Sequence, residues 1–350
     1  MSGITKIEWT NATWNPITGC SVVSPGCTNC YAMRLAGGRL RHTRKYKGLT
    51  QPSGAGPVWN GEVRFDERTL TAPLSWRQPR RIFVNSMSDL FHEDVPDEWI
   101  DKIFNVMARC PQHSFQVLTK RPKRQQEYVN EIARFLAAPE TFAFELRTWR
   151  HAPRIGWPLP NVWIITSVED QDRANERIPY VLDIPAAVRG VSCEPLLGPI
   201  DLDHLWTPTH RFSALVGQKC VRVPAGTPGS KNGLRVIDPF GPRLDWVIVG
   251  GESGPGARPM HPDWARSIRD QCQAAGVAFF FKQWGEWLPV DHAPKTCRVT
   301  AEPGVLSTDG TWRQPQAIAN PPKHVFMLRV GKKAAGRELD GRTWDEYPHG

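Results

Sequence analysis

The feature that most constrains the fold is an alternation of short apolar runs with helix-like segments. Seven runs have the composition of buried strands, and each ends in polar residues: 63–65, 82–84, 115–118, 162–165, 188–191, 247–249 and 277–281. A further strand enters a cysteine-rich loop near the N-terminus. Strands that alternate with helices predict a parallel sheet, and eight units favour a closed barrel over an open doubly wound sheet.

Three of the intervening helices are clear from the sequence. One opens at Pro96 and ends before Pro111, one opens at Pro262 and stops at Gly276, and one carries an apolar face of Tyr128, Ile132, Phe135 and Leu136. No glycine-rich phosphate loop follows the first strand, which argues against a dinucleotide-binding fold. We therefore predict an α/β fold, a parallel (β/α) barrel of the TIM type, either full with eight units or partial with six.

Three segments depart from the alternation. Residues 46–61 are rich in Gly, Pro and Ser and predict a long surface loop. Residues from about 201 to 243 predict an irregular insertion between the sixth and seventh strands. The chain then divides into a barrel domain at 1–290, with its cysteine loop at 20–30, and a C-terminal appendage at 291–350 that packs on the barrel.

The cysteine-rich loop has the spacing of a metal site. Cys20, Cys27 and Cys30 follow the pattern C-x6-C-x2-C, and Gly19 and Pro25 allow the backbone to turn so that three sulfurs point at one centre. A structural zinc site closes with four ligands, whereas three thiolates before a helix suit an iron–sulfur cluster with one open iron. The spacing therefore favours an open cluster.

Two other interpretations of these cysteines remain open. A zinc site completed by a distant ligand such as His42 uses the same soft thiolates, and cysteines also occur unligated in cores. The remaining cysteines are scattered singly, which does not indicate a disulfide framework: Cys110, Cys193, Cys220, Cys272 and Cys297.

Polar residues at the predicted strand ends are the candidates for cofactor binding, because barrel chemistry lies at the carboxyl ends of the strands. Short polar side chains offer hydrogen-bond donors and acceptors, Lys120 or Arg121 offers a cation, and paired glycines permit close backbone approach. Each candidate is also compatible with a satisfied structural role at a strand end. The predicted cofactor-binding set is Asn85, Ser86, Ser88, Lys120, Glu194, Gly250, Gly251 and Glu252.

The composition indicates a globular protein, and its charge favours a phosphate-bearing partner, although a basic surface that only confers solubility has the same charge. Among 350 residues, 44 Lys and Arg stand against 35 Asp and Glu, a formal charge of +9, and such a surface gains by displacing counterions from nucleic acid. The chain has no run of about 18 apolar residues and no secretion signal at its N-terminus. We expect a cytoplasmic protein with no membrane contact.

Several motifs together resemble the phage-associated Gp37/Gp68 family. They are EWTNATWNP at 8–16, the cysteine loop through Tyr31, FVNSMSDLF at 83–91, LTKRP at 118–122, SCEPL at 192–196 and GGESG at 250–254. The resemblance covers residues 1 to about 290, with a weaker echo at 336–344. That family is similar to the radical S-adenosylmethionine enzymes.

The resemblance implies both a cofactor set and a reaction class. Cys20, Cys27 and Cys30 would hold a [4Fe–4S] cluster whose open iron binds S-adenosylmethionine, and an electron from an external donor would produce a 5′-deoxyadenosyl radical. The spacer of six residues between Cys20 and Cys27, where three are usual, leaves the number of ligands unchanged. Neither a catalytic residue nor a reaction subtype is identified.

We expect a nucleic acid or nucleotide as the substrate of a modification or repair reaction. Two other functions stay open. One is a zinc-stabilised, non-catalytic nucleic-acid-binding protein, and the other is a radical enzyme that modifies a peptide or partner protein.

Overall fold

A mixed, mostly parallel sheet of eight strands is the main element of the computed structural model. The model describes residues 3–137, 156–224, 227–231, 233–293, 298–314 and 324–348, excluding the side chains of 135–137. The helices are α1 (Tyr31–Gly37), α2 (Glu67–Leu70), α3 (Asp97–Ala108), α4 (Pro122–Ala137), α5 (Gln171–Leu182), α6 (Pro262–Ala275) and α7 (Lys332–Ala335). None of those in the described part of the chain combines the length and apolar character that crossing a bilayer requires.

The strands alternate with these helices through most of the chain. The first ten are β1 (Gly3–Ile4), β2 (Ala12–Trp14), β3 (Ile17–Thr18), β4 (Thr50–Ser53), β5 (Gly56–Trp59), β6 (Arg64–Phe65), β7 (Arg81–Val84), β8 (Ser114–Thr119), β9 (Val162–Ser167) and β10 (Val188–Cys193). The next seven are β11 (Leu205–Trp206), β12 (Arg211–Phe212), β13 (Lys219–Arg222), β14 (Ser230–Lys231), β15 (Leu234–Asp238), β16 (Trp246–Gly250) and β17 (Ala278–Gln283). The last six are β18 (Trp287–Pro289), β19 (Gly304–Ser307), β20 (Trp312–Arg313), β21 (His324–Arg329), β22 (Glu338–Leu339) and β23 (Arg342–Thr343).

The order of the main sheet is β1-β2-β7-β8-β9-β10-β16-β17. β1 pairs antiparallel with β2. The pairs β2/β7, β7/β8, β8/β9, β10/β16 and β16/β17 are parallel. The predicted α/β class with a mostly parallel sheet is confirmed. β1 and β17 end this order, so the pairings of the described residues do not include the closure of a complete barrel.

One of the predicted sheet strands is wrong. The run at 63–65 forms only the two-residue strand β6, which pairs antiparallel with β3 just before the cysteine loop and not with the main sheet. A strand this short contributes one side chain to each face, so its apolar composition does not specify a sheet position. The eighth strand of the sheet is instead β1.

The predicted helices lie where the sequence places them. α3 buries Ile100, Ile103 and Phe104, and its last residue is three positions before Pro111. α6 begins after His261, whose side chain accepts a hydrogen bond from the amide of Asp263, and it ends at the left-handed Gly276. Phe135 and Leu136, predicted on the face of α4, have side chains outside the described residues.

The chain divides into two compact units, each of which we describe by itself. The first comprises Met1–Thr166 with Asp183–Arg189. In it, α1 packs on the hairpin of β4 and β5 through a buried cluster that contains Ala36, Leu49 and Trp59. Residues 46–61, predicted as a surface loop, are therefore partly a regular hairpin, because Tyr46, Leu49 and Trp59 supply an apolar face despite the many glycines and prolines.

The second unit comprises Ser167–Leu182 and Gly190–His349. The insertion lies between β10 and β16 as predicted, but it is not irregular. It forms a five-stranded antiparallel sheet in the order β11-β12-β13-β15-β14. Pro208, Pro224 and Pro228 lie between its short strands, which explains why the composition suggested a loop.

The described residues after 290 pack within the second unit. β21 pairs with β18 and β19, the indole of Trp264 donates to the carbonyl of Thr308 at 2.7 Å, and the amide of Phe281 donates to the carbonyl of Trp344 at 2.9 Å. The domain boundary at residue 290 remains a prediction.

Candidate functional site

The cysteine loop of the first unit begins at a glycine that the local geometry requires. Gly19 has φ +94°, and a Cβ atom there would lie 2.0 Å from the carbonyl oxygen of Glu62. A short 3₁₀ turn, Pro25–Cys27, follows, and Cys30 immediately precedes α1. The glycine thus lets the chain turn sharply between β3 and the first thiol.

Hydrogen bonds tie this loop to the residues that follow β7. The side-chain oxygen of Asn15 accepts from the Ser86 hydroxyl at 3.2 Å and from the Met87 amide at 2.9 Å. The Ser88 hydroxyl donates to the carbonyl of Ile17 at 3.0 Å, and the Tyr31 hydroxyl donates to the carbonyl of Ser86 at 2.6 Å. The hydroxyls of Ser86 and Ser88, predicted as cofactor contacts, therefore already hydrogen-bond to residues that precede the cysteine loop.

Asn85, also in the predicted set, has an unsatisfied donor. It adopts φ +58°, is 1% exposed, and accepts a hydrogen bond from the amide of Ile17 at 3.3 Å. Its side-chain Nδ2 is buried and has no hydrogen-bond partner among the described residues. A buried donor left unpaired costs about 1–3 kcal/mol, so a ligand oxygen that accepted from Nδ2 would recover that energy.

The thiols of Cys20, Cys27 and Cys30 form no disulfide, are partly buried, and lie near enough to one another to interact electrostatically. Burial raises the pKa of Cys20 to about 12, and the nearby Asp89 carboxylate, Cys30 and Cys27 add to the shift. Burial also raises the pKa of Cys30, against which the charge of Lys120 acts weakly. Because metals bind thiolates, a metal entering this loop must displace protons from Cys20 and Cys30 at neutral pH.

Arg121 connects the loop to the ends of β7 and β8. Its guanidinium donates to Asp89 at 3.1 Å, to Glu93 at 2.5 Å and to the Ser21 hydroxyl at 2.6 Å, and it lies 3.8 Å from the sulfur of Cys20. Burial opposes the charge of Arg121, but Asp89 and Glu93 outweigh burial and raise its pKa. A permanent cation is therefore held against the first thiol of the loop.

Asp89 is the buried anchor of this cation. Its carboxylate also accepts from the Thr119 hydroxyl at 2.6 Å, the Lys120 amide at 3.0 Å and the Phe91 amide at 3.0 Å. Lys120 thus contributes its backbone to the cluster, while its side chain lies near enough to Cys30 to affect that thiol.

His92 completes the hydrogen bonding around Ser21. It is 1% exposed, and burial lowers its pKa, which favours the neutral ring. Nδ1 accepts from the amide of Asp94 at 3.1 Å, so the ring proton resides on Nε2, which lies 3.0 Å from the Ser21 hydroxyl. Sequence reasoning assigned no role to Ser21, Asp89 or His92, although the last two follow a parallel strand at its carboxyl end.

The remaining candidates lie in the second unit. Glu194 accepts from Lys282 Nζ at 2.6 Å and from the side-chain Nε2 of Gln283 at 3.2 Å. A Cβ at Gly250 would lie 3.2 Å from the Glu194 carboxyl carbon, and one at Gly251 would lie 1.9 Å from a backbone oxygen. These glycines permit close packing, as predicted, and they pack against the protein itself.

Glu252 is bound tightly within its own loop. It is 5% exposed and accepts from Arg258 through the guanidinium at 2.6 and 2.9 Å and through the backbone amide at 2.8 Å. A charge-assisted bond of this kind indicates a structural role. A cofactor contact by Glu252 remains a prediction.

No ready-made metal site is present among the described residues, since no three His, Cys, Asp or Glu side chains form a group that would hold an ion. His42, the alternative zinc ligand, is exposed, and its Nε2 accepts from Arg41 at 2.8 Å. The three cysteines are close enough to interact electrostatically but would have to converge to bind one metal. Their role as ligands remains a prediction.

A comparison with protein families places the whole chain in one group. A family described as "Protein of unknown function (DUF5131)" matches residues 4–348. Neither a curated protein nor a solved structure matches the chain.

Proposed function

The chain belongs to the DUF5131 family of unknown function, and from that premise we propose that it is a radical S-adenosylmethionine enzyme acting on a nucleic acid or nucleotide. The observation that carries the proposal is the presence of three free thiols, Cys20, Cys27 and Cys30, in one loop, with the cation of Arg121 beside the first of them. In this proposal the parallel sheet belongs to a full or partial TIM-like barrel.

The donor chemistry of the loop fits an iron–sulfur cluster. Thiolates are the protein ligands of such clusters, and three of them leave one iron open. When bound, the cluster would supply the electron that cleaves the sulfonium bond of S-adenosylmethionine. Arg121, held at 3.8 Å from the Cys20 sulfur, would stabilise the thiolate that ligation requires.

Other residues of the first unit would bind and orient the cofactor. Nδ2 of Asn85 is the buried donor that still needs an acceptor, which suits a carboxylate or ribose oxygen. Lys120 adds a second cation near Cys30. Ser86 and Ser88 would act indirectly, because their hydroxyls bind Asn15 and Ile17, which lead into the cysteine loop.

The substrate class rests on charge. The formal charge of +9 favours a phosphate-bearing molecule over a neutral peptide. A cytoplasmic location belongs to the same proposal, since that compartment keeps thiols reduced and contains electron donors. The alternative of a zinc-stabilised binding protein needs a fourth ligand, which His42 does not supply in the described arrangement.

The test is anaerobic reconstitution of the full chain with iron and sulfide. We expect about four irons per chain, a broad brown absorbance, and release of 5′-deoxyadenosine and methionine from S-adenosylmethionine on reduction. The variants Cys20→Ala, Cys27→Ala and Cys30→Ala should each lose iron and product together. Cys110→Ala removes a single buried thiol elsewhere in the same unit and should retain both.

Two outcomes would reject the proposal. One is a protein with intact thiols that takes up one zinc, binds no iron and never forms 5′-deoxyadenosine. The other is equal loss of iron in Cys110→Ala and in the three loop variants, because the loop would then not be the site of binding.

A further inference from the structure

The five-stranded antiparallel sheet of the insertion presents one solvent-facing surface with a distinctive composition. Hydrogen-bonded register aligns Trp206 with Arg211, Arg211 with Cys220, and Cys220 with Val236. Directly opposite residues share a face of a sheet, so these four side chains form one row.

A second row lies beside the first. Arg222 is opposite Leu234, which in turn is opposite Lys231. Because residues two apart on a strand point to the same side, Arg222 shares the face of Cys220. The residues of both rows, together with Gln218, line a groove of about 440 Å³, a volume within the usual range for ligand sites.

The opposite face of the same sheet packs inward at its first two strands. Leu205 pairs with Phe212, and both side chains are buried in the core of the second unit. Trp206, one residue after Leu205, is 43% exposed. An exposed tryptophan that shares its face with Arg211, Arg222 and Lys231 as well as with apolar side chains indicates a contact surface rather than core packing.

The charge of this segment is of one sign. From residue 204 to residue 237 the sequence contains five Lys and Arg and no Asp or Glu. The guanidinium groups of Arg211 and Arg222 lie 5.3 and 5.8 Å from the centre of the Trp206 ring. Within the described residues, neither arginine has an ion pair with a carboxylate. An aromatic platform among such cations is the combination that binds bases by stacking and phosphates by charge.

We propose that this groove, formed by Trp206, Arg211, Cys220, Arg222, Lys231, Leu234 and Val236, binds single-stranded nucleic acid. A base stacks on Trp206, and the displaced guanidinium pairs with a phosphate. Recognition through bases and phosphates makes no use of the 2′ position, so DNA and RNA strands bind within a few-fold of each other. Duplexes, whose bases are already stacked, bind more weakly.

The inference extends the proposed function by naming a binding surface for its substrate class, but binding to the groove requires no iron and no S-adenosylmethionine. The probe is fluorescein-labelled 20-mers of dT and rU, with a 20-base-pair duplex for comparison, measured by fluorescence anisotropy on the full chain. Three phosphate contacts on a single strand predict a slope of about −2 for log K against log salt, or a roughly fifteenfold loss between 50 and 200 mM salt.

The variants separate stacking from general charge. Trp206→Ala should weaken binding about 5- to 100-fold, and Trp206→Phe should restore most of it. Arg222→Gln and Lys231→Gln should each reduce the salt slope by about 0.7. The matched control is Arg235→Gln, which removes the same charge from an exposed position on the other face of the sheet and should leave the affinity within twofold. Circular dichroism confirms that each variant is folded.

A bound strand should also slow alkylation of Cys220, located by peptide mass spectrometry. The proposal is overturned if Trp206→Ala behaves like Arg235→Gln, if the duplex binds as tightly as the 20-mers, or if poly-glutamate competes equally well. Oligonucleotide binding that is indifferent to all groove variants would reject this surface and leave the radical-enzyme proposal standing. Groove-dependent binding by a protein that never forms 5′-deoxyadenosine would support this surface and reject the radical-enzyme proposal.

Discussion

Replacing Arg121 by Gln should destabilise the metal-free protein by about 3 kcal/mol. Arg121 and Asp89 form a nearly buried ion pair, with side chains 10% and 8% exposed. Breaking such a pair from one side typically costs 3–5 kcal/mol, because the remaining charge is left buried. Asp89 keeps its bonds from Thr119, Lys120 and Phe91, which places the cost near the lower end.

Glu93 adds little to this cost. Burial alone would raise its pKa, but the hydrogen bond from Arg121 lowers it to about 2. Because the Glu93 side chain is 58% exposed, solvent screens the pair and its contribution stays below about 1 kcal/mol. The loss in Arg121→Gln should therefore come almost entirely from Asp89.

Urea unfolding followed by circular dichroism measures the change, with Arg173→Gln as the control. Arg173 pairs with Asp170 at 3.5 Å on a more exposed surface, and its loss should cost no more than about 0.5 kcal/mol. The double variant Asp89→Asn/Arg121→Gln should lose at least about 1 kcal/mol less than the sum of the singles. Additive losses, or an Arg121 effect no larger than that of Arg173, would refute the argument.

Two further predictions concern the backbone of the first unit and the C-terminal residues of the second. Gly19→Ala should lower the thermal stability and expose Cys20 to thiol reagents, because a Cβ at residue 19 would overlap the carbonyl oxygen of Glu62. The control is Gly56→Ala, at φ +115° with open space around it, which should show only the smaller cost of backbone strain. Asp340 accepts hydrogen bonds from Arg266 and Arg269, and chiefly the bond from Arg266 lowers its pKa to about 2. The ionised Asp340 therefore stabilises the folded protein fully above the unfolded pKa of 3.8, and this stabilisation is lost as the pH falls towards 2. The difference in unfolding free energy between wild type and Asp340→Asn should be about 1 kcal/mol at pH 7 and should shrink through that window, whereas a constant difference would contradict the assignment.

The long strands of the main sheet could be predicted from their apolar runs, whereas the short strands could not be predicted. β8, β9 and β17 each bury six-residue segments almost completely, which leaves a strong signal in the sequence. β6 has only two residues and pairs locally with β3. The strands of the insertion are two to five residues long and join through Pro- and Gly-rich turns. The register of these strands creates the groove around Trp206. Strands this short have no apolar periodicity in the sequence from which that register could be predicted.

The candidate site was predictable where residues are adjacent in sequence. The spacing of Cys20, Cys27 and Cys30 in the sequence predicts a metal site. The partners of Arg121, in contrast, are distant in sequence and come together only in the folded chain. Ser86 and Ser88 were predicted by type and position, yet their hydroxyls hold the loop, because a strand-end serine can serve the backbone as readily as a ligand. Among the predicted cofactor-binding residues, Asn85 is the one whose side chain has a buried donor, Nδ2, without a partner in the described part of the chain.

The link between Ser21 and Arg121 spans 100 positions along the chain. During synthesis, the thiols leave the ribosome well before the guanidinium of Arg121, whose charge lowers the pKa of Cys20 against the larger effect of burial. A nascent chain that stops before residue 121 therefore carries Cys20 without that cation. If the loop binds a metal, we expect metal loading to follow the docking of β8 beside β7.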